Sequence, residues 1–170
     1  MFTYIPNLVE EEFLKVNIFI PFTKIQDATL ISLFNYNVKF IQLEDGFDYS
    51  NYFKTRWEEG KTFVNVEHDI VVYPGAIKAL WDCPEDWCVY DYTTINWSEQ
   101  LAELNSVPLG CVKISSKMIE LLKDCWNEPI NWSYCDSHLF QVCKKVGLHP
   151  HQHFPGVTNA NPAFLERRKI

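Results

Sequence analysis

No stretch of this 170-residue chain approaches the roughly 18 consecutive apolar positions that a membrane-spanning helix needs. A signal peptide would carry a basic region and then an apolar one near its start, where this chain has Glu10, Glu11 and Glu12. An intracellular protein is therefore expected. There is no Cys-x-x-Cys pair, the usual half-site of a zinc ribbon, and no internal repeat, low-complexity run or Gly/Ser linker. Basic charge is also scarce. The formal net charge of −7 offers no electrostatic footprint for a polyanion, and only Arg167, Arg168 and Lys169 form a short basic run.

What is present is material for a core: 47% of the residues are hydrophobic and 15% aromatic, enough for one compact domain over residues 1–170. The six cysteines, Cys83, Cys88, Cys111, Cys125, Cys135 and Cys143, lie among Trp, Leu, Ile and Val. They read as buried free thiols, since a chain of this length needs no disulfide staples. The nine prolines fall between periodic segments, as loop residues do.

Periodicity alternates along the first half. Val16 to Phe22 reads as a buried strand, Ile25 to Tyr36 as a helix and Val38 to Leu43 as a second strand. Tyr49 to Glu59 reads as a helix stopped by Gly60, and Thr62 to Val66 as a third strand. That is a βαβαβ unit, so an α/β fold with a mostly parallel sheet flanked by helices is expected. Farther on, Pro74 to Trp81 reads as a short helix, Trp87 to Tyr92 and Leu109 to Ile114 as strands, and Ser116 to Trp126 and Ser133 to Val146 as helices. Gly147 closes the last of these. From Leu148 onward an irregular tail is expected to wrap back over the domain.

Three constellations could carry chemistry. Glu67-His68-Asp69 follows a strand, and alternation on an extended backbone would aim both carboxylates to one side, as a site for Mg²⁺ or Mn²⁺; loop acids ending a strand look the same. His149-Pro150-His151-Gln152-His153 would put three imidazoles on one face, and one of them could complete a metal shell begun by Asp69. Asp136 stands near the start of the last long helix. With Ser133 it fits a capping box, or it could take a proton from a hydroxyl if it faces a cleft.

With these residues in view, the chain resembles GT-A glycosyltransferases, and more narrowly the short glycosyltransferase-like proteins of bacteria and their phages. The resemblance rests on Thr62 to Tyr92, Leu109 to Ser115 and Trp132 to Val157, together with the βαβαβ opening. It implies one GT-A-like, Rossmann-like domain. Glu67-His68-Asp69 would stand at the family's Asp-x-Asp motif, with Mn²⁺ or Mg²⁺ as cofactor. Asp136 would stand at the catalytic base of inverting members, and His151 or His153 where a C-terminal His reaches the metal. Pro21, Phe22, Thr23, Glu44 and Asp45 would cradle the nucleoside, and Gly110 would leave room for a sugar. Relatives often carry a further His after a Pro-x-Val segment, where this chain has Asn159.

The implied activity is transfer of a sugar from a nucleoside diphosphate sugar, a UDP-sugar first among them, to an acceptor hydroxyl with inversion, in the cytoplasm of a bacterium or phage-infected cell. Hydroxymethylated DNA ranks behind a small-molecule, lipid or surface-glycan acceptor because of the negative charge. Two other readings compete: a non-catalytic nucleotide-sugar-binding module, and a zinc-binding protein built from the histidines and nearby thiols.

Overall fold

A computed structural model describes residues 16–91 and 105–160. Tyr92 and the basic run at 167–169 lie outside the described residues. Strand β1 (Ile18–Phe22), helix α1 (Asp27–Ser32), β2 (Val38–Gln42), α2 (Asp48–Glu59) and β3 (Phe63–Val66) form the expected βαβαβ unit. Both β2 and β3 pair with β1 in parallel. Next come β4 (Ile70–Val72), α3 (Ala76–Asp82), β5 (Trp87–Tyr90), β6 (Cys111–Ile114), α4 (Ser116–Leu121), α5 (Trp132–Lys145), β7 (His151–His153) and β8 (Val157–Asn159).

Six strands make one sheet in the order β2-β1-β3-β6-β5-β7, and β4 pairs with β8 in a separate two-stranded sheet. Strand β6 runs antiparallel to both its neighbours, while β7 is parallel to β5. Only β6 is therefore reversed, and the sheet is mostly parallel. Because side chains alternate along a strand, each central strand feeds two cores. Phe19, Phe63, Trp87 and Val112 face a cluster with Tyr52, Phe53, Trp57 and Trp126 on one side of the sheet. Ile18, Ile20, Val64, Val66 and Cys111 face Leu33, Ile77 and Leu80 on the other. Phe53 stacks on Trp126 at 4.9 Å. All six cysteines are free, and five are buried. Among the described residues no helix is long and apolar enough to cross a membrane.

Helix ends explain where the sequence reading shifts. Gly60 ends α2 at φ 64° and Gly147 follows α5 at φ 73°, the left-handed conformation that favours glycine. Helix α1 is half as long as its apolar spacing suggests. Helix α4 starts at Ser115, whose side chain accepts from the Met118 amide, and stops at Leu121, short of Trp126. Helix α5 is capped by Asn131, whose side chain accepts from the Ser133 amide. Ser133 is thus not the cap, and Asp136 lies in the second turn, beyond any capping box. The tail is not irregular: it supplies β7 and β8, which its many His, Pro and Asn residues hid.

Candidate active site

The carboxyl ends of β1, β2 and β3 open into a cleft of about 540 Å³. That is where a parallel sheet gathers ligands, because successive loops leave on the same edge. Pro21 and Thr23 line it after β1, Leu43 to Gly46 after β2, and Glu67, His68 and Asp69 after β3. Tyr49 from α2 and Trp132 from the start of α5 complete the lining.

Strand β3 stops at Val66, because the Glu67 amide turns to donate to the Gly110 carbonyl at 2.8 Å and the Ile70 amide closes back onto the Glu67 carbonyl at 3.1 Å. Residues 67–69 therefore form a turn and not an extended strand. All three residues line the cleft, His68 included, in place of the alternation that an extended strand would impose.

Glu67 is held from behind. Its Oε1 accepts from the Tyr49 hydroxyl at 2.6 Å. The Tyr49 oxygen in turn receives Asn65 Nδ2 at 3.4 Å, Asn65 Nδ2 also donates to the Leu109 carbonyl at 2.6 Å, and Tyr52 donates to Asn65 Oδ1 at 2.9 Å. Asn65 is fully buried at the centre of this relay, which satisfies both ends of its amide. Burial, and then the negative charge of Asp136, push the Glu67 carboxyl from an ordinary 4.5 to about 8, against the hydrogen bond from Tyr49. Burial likewise raises Asp136 from 3.8 to about 6, although a hydrogen bond from the Leu109 amide pulls it down. Asp136 is half-buried and is not among the residues that line the cleft. Helix α5 is set in place by the Trp132 amide, which donates to the Gly46 carbonyl at 2.7 Å.

Asp69 is met by the last described strand. Asn159 Nδ2 donates to Asp69 Oδ2 at 3.0 Å, and the Ala160 amide donates to the Asp69 carbonyl at 2.6 Å. Strand β8 thus brings Asn159 to the acid.

The other expected site residues divide. Pro21, Thr23, Glu44 and Asp45 line the cleft. Asp45 is committed to its loop: its Oδ1 accepts from the Phe47 and Asp48 amides at 2.6 and 3.1 Å, while Asp48 Oδ2 accepts from Glu44 and Asp45 at 2.6 and 3.0 Å. Phe22 packs edge-on against Phe40 at 6.4 Å and is not among the lining residues. Gly110 is buried and supports Glu67 through its carbonyl, without lining the cleft. His151 and His153 do not join the acids. Strand β7 sits at the far edge of the sheet, three strands from β3, and its rings gather with Cys83 and Cys88. Tyr49, Asn65 and Trp132 were not expected from the sequence. Tyr49 looks like an ordinary core position and Asn65 like a polar exception in an apolar strand, and only the 63% exposure of Trp132 beside the cleft marks that residue out.

No protein-family model matches the chain, and no curated protein matches it in sequence. Solved structures do match in shape. A glycosyltransferase involved in the glycosylation of the major capsid of PBCV-1 aligns with a TM-score of 0.54 at 14% identity, over 89% of this chain and 97% of that one. A Bacillus anthracis protein assigned as a glucose-1-phosphate thymidylyltransferase, in complex with sucrose, aligns with a TM-score of 0.45 at 12% identity, over 90% of this chain and 76% of that one. At 14% identity the first of these likenesses is one of fold, and the fold is GT-A-like.

Proposed function

We propose that this chain is a metal-dependent, inverting glycosyltransferase that moves a sugar from a nucleoside diphosphate sugar, a UDP-sugar first among them, to an acceptor hydroxyl. The observation that carries the reading is the pair Glu67 and Asp69, which lines a cleft large enough for a nucleotide, with the charge of Asp136 close enough behind to raise the Glu67 carboxyl.

Asp136 is the proton acceptor. A carboxylate titrating at about 6 is a stronger base than an ordinary aspartate yet is mostly ionised at neutral pH. It takes the proton of the acceptor hydroxyl as that oxygen attacks the anomeric carbon and the diphosphate departs from the opposite face. One in-line displacement inverts the anomeric centre. The exposed indole of Trp132 offers a flat apolar wall for a base or a sugar ring. The loop 44–46, fixed by the reciprocal Asp45 and Asp48 bonds, presents backbone to the nucleoside.

The acids suit a divalent ion. Asp69 uses Oδ2 for Asn159 and Glu67 uses Oε1 for Tyr49, which among the described residues leaves each carboxylate a second oxygen. Hard oxygen donors match Mg²⁺ or Mn²⁺, and a cation favours ionised Glu67 in a site where burial alone disfavours it. Such an ion, when bound, neutralises the charge that develops on the departing diphosphate. The acceptor is a small-molecule, lipid or glycan hydroxyl before a DNA base, given the net charge of −7.

The test is a thermal-shift panel of nucleotides and nucleotide sugars with Mn²⁺, since a ligand that binds the native state raises apparent stability. Turnover of the stabilising donor by wild type and by Asp136→Asn follows. A donor that stabilises both proteins but is turned over only by wild type supports the reading. Equal turnover removes Asp136 as base, and donor binding without any turnover leaves a nucleotide-sugar-binding module.

A further inference from the structure

The four residues that gather at the far edge of the sheet have no part in the proposed reaction. Cys83 follows α3, Cys88 lies on β5, and His151 and His153 lie on β7. Parallel pairing sets Cys88 beside His151 and Tyr90 beside His153, so two stretches more than sixty residues apart in sequence meet here. One ligand atom from each of the four residues falls within 4.8 Å of all the others. Cys83 Sγ is already 3.1 Å from His151 Nδ1, and the two imidazole rings approach to 4.7 Å. From these we propose that Cys83, Cys88, His151 and His153 form a tetrahedral zinc site that pins β7 to β5.

Geometry and donor chemistry agree. A tetrahedron with arms of about 2.0–2.3 Å has edges of about 3.3–3.8 Å, so the four atoms need close by only about 1 Å. Two sulfurs and two imidazole nitrogens are soft and borderline donors, which select Zn²⁺ over the Mn²⁺ or Mg²⁺ suited to carboxylates. The Cys-x₄-Cys spacing lies within the range of structural zinc sites. On a strand, His-x-His puts both rings on one face.

Two further observations point to an ion. His153 Nε2 is buried and has no hydrogen-bond partner among the described residues, an unsatisfied polar atom where such atoms are rare. Lys113, buried on β6 directly opposite Cys88, donates to the Cys83 carbonyl, which fixes the backbone of one ligand and sets a cation beside the Cys88 sulfur. The role is structural. Strand β7 is a three-residue edge strand, and the same segment continues to Asn159 at Asp69. A crosslink at β7 anchors that segment independently of donor binding.

The experiment uses the full chain without an affinity tag. It is loaded with Zn²⁺, freed of excess by gel filtration and assayed for metal, then reconstituted with Co²⁺ for visible spectroscopy. One zinc per chain is expected, together with the intense bands of tetrahedral cobalt and a thiolate-to-cobalt charge-transfer band. His151 is exposed, so His151→Ala should fold, and it should bind zinc at least about 100-fold more weakly. Cys83→Ser should lose the thiolate band in part, and Asp69→Asn should keep full zinc. Less than half an equivalent of zinc after loading would overturn the site. So would full retention in His151→Ala, a cobalt spectrum without thiolate character, or a Cys83–Cys88 disulfide in protein isolated under reducing conditions.

Discussion

Replacing Glu67 by Gln should flatten the pH dependence of folding stability between about pH 5 and pH 9. The Glu67 carboxyl is raised from 4.5 to about 8, chiefly by burial. Between those values the folded protein holds a proton that the unfolded chain has already released. Stability is therefore fully present below about 4.5 and is lost as the pH rises through about 8. A difference of about 3.5 in pKa, at about 1.4 kcal/mol each, sets a ceiling of about 5 kcal/mol. Glu67 keeps partial solvent exposure, so water relaxes part of this, and about 2–3 kcal/mol is the expected size. Gln retains the oxygen that accepts from Tyr49 while removing the charge. The variant should match wild type near pH 5 and exceed it near pH 9 by that amount, about 4–12 °C in Tm for a chain of this length. Asp136, raised from 3.8 to about 6, contributes a separate loss at lower pH that the variant keeps. The assay is urea or thermal unfolding at several pH values in the presence of a chelator. Parallel curves for the two proteins across pH 5–9 would refute the argument. Added Mn²⁺ should restore stability at pH 8 to wild type alone.

Asp69→Asn should retain the fold and lose metal-dependent donor binding by at least about tenfold, read by calorimetry with and without Mn²⁺. Asp136→Asn should lower kcat by about 10²–10⁴ with donor affinity kept, and in wild type the acidic limb of the pH–rate profile should fall near pH 6. Trp132→Ala should raise donor KM by about tenfold, a loss of about 1–2 kcal/mol, with little change in Tm because the indole is 63% exposed. Gly156→Ala would drive its new methyl group into the Tyr90 ring, so unfolding measurements should show a loss of about 1–3 kcal/mol.

How far the sequence could be read depended on how local each determinant was. Strands β1 to β3 and helix α2 announce themselves through apolar spacing and Gly60, because each is specified within a dozen residues. The acids at residues 67–69 were visible for the same reason, but their geometry was not. The turn that brings His68 into the cleft beside them depends on the Gly110 carbonyl, 43 residues away in sequence. The capping box at Ser133 misled because Asn131, two residues earlier, is an equally good cap and is tied to the loop at Gly46 through Trp132. The histidines were noticed and assigned to the wrong neighbours. Nothing local says that β7 will pair with β5, and that pairing alone decides whether imidazoles meet carboxylates or thiols. Asn65 is the clearest case of a hidden site residue: inside an apolar strand it reads as an exception, and only the tyrosines around it give it a purpose.

The bond from Asn159 to Asp69 spans 90 residues of sequence. Pairing over such a distance carries a large loop-closure entropy and comes late in folding, whereas β1, β2 and β3 can condense from neighbouring segments. During synthesis the half of the cleft built on β1, β2 and β3 can therefore take shape while Asp69 still lacks its companion amide. A ribosome that stalls before residue 159 holds a chain that already contains Glu67, Asp69 and Asp136 and yet has an unfinished centre. Onset of activity in a timed translation reaction would then mark the emergence of β8, and the lag after the last acid is made would measure how long that strand takes to find its place.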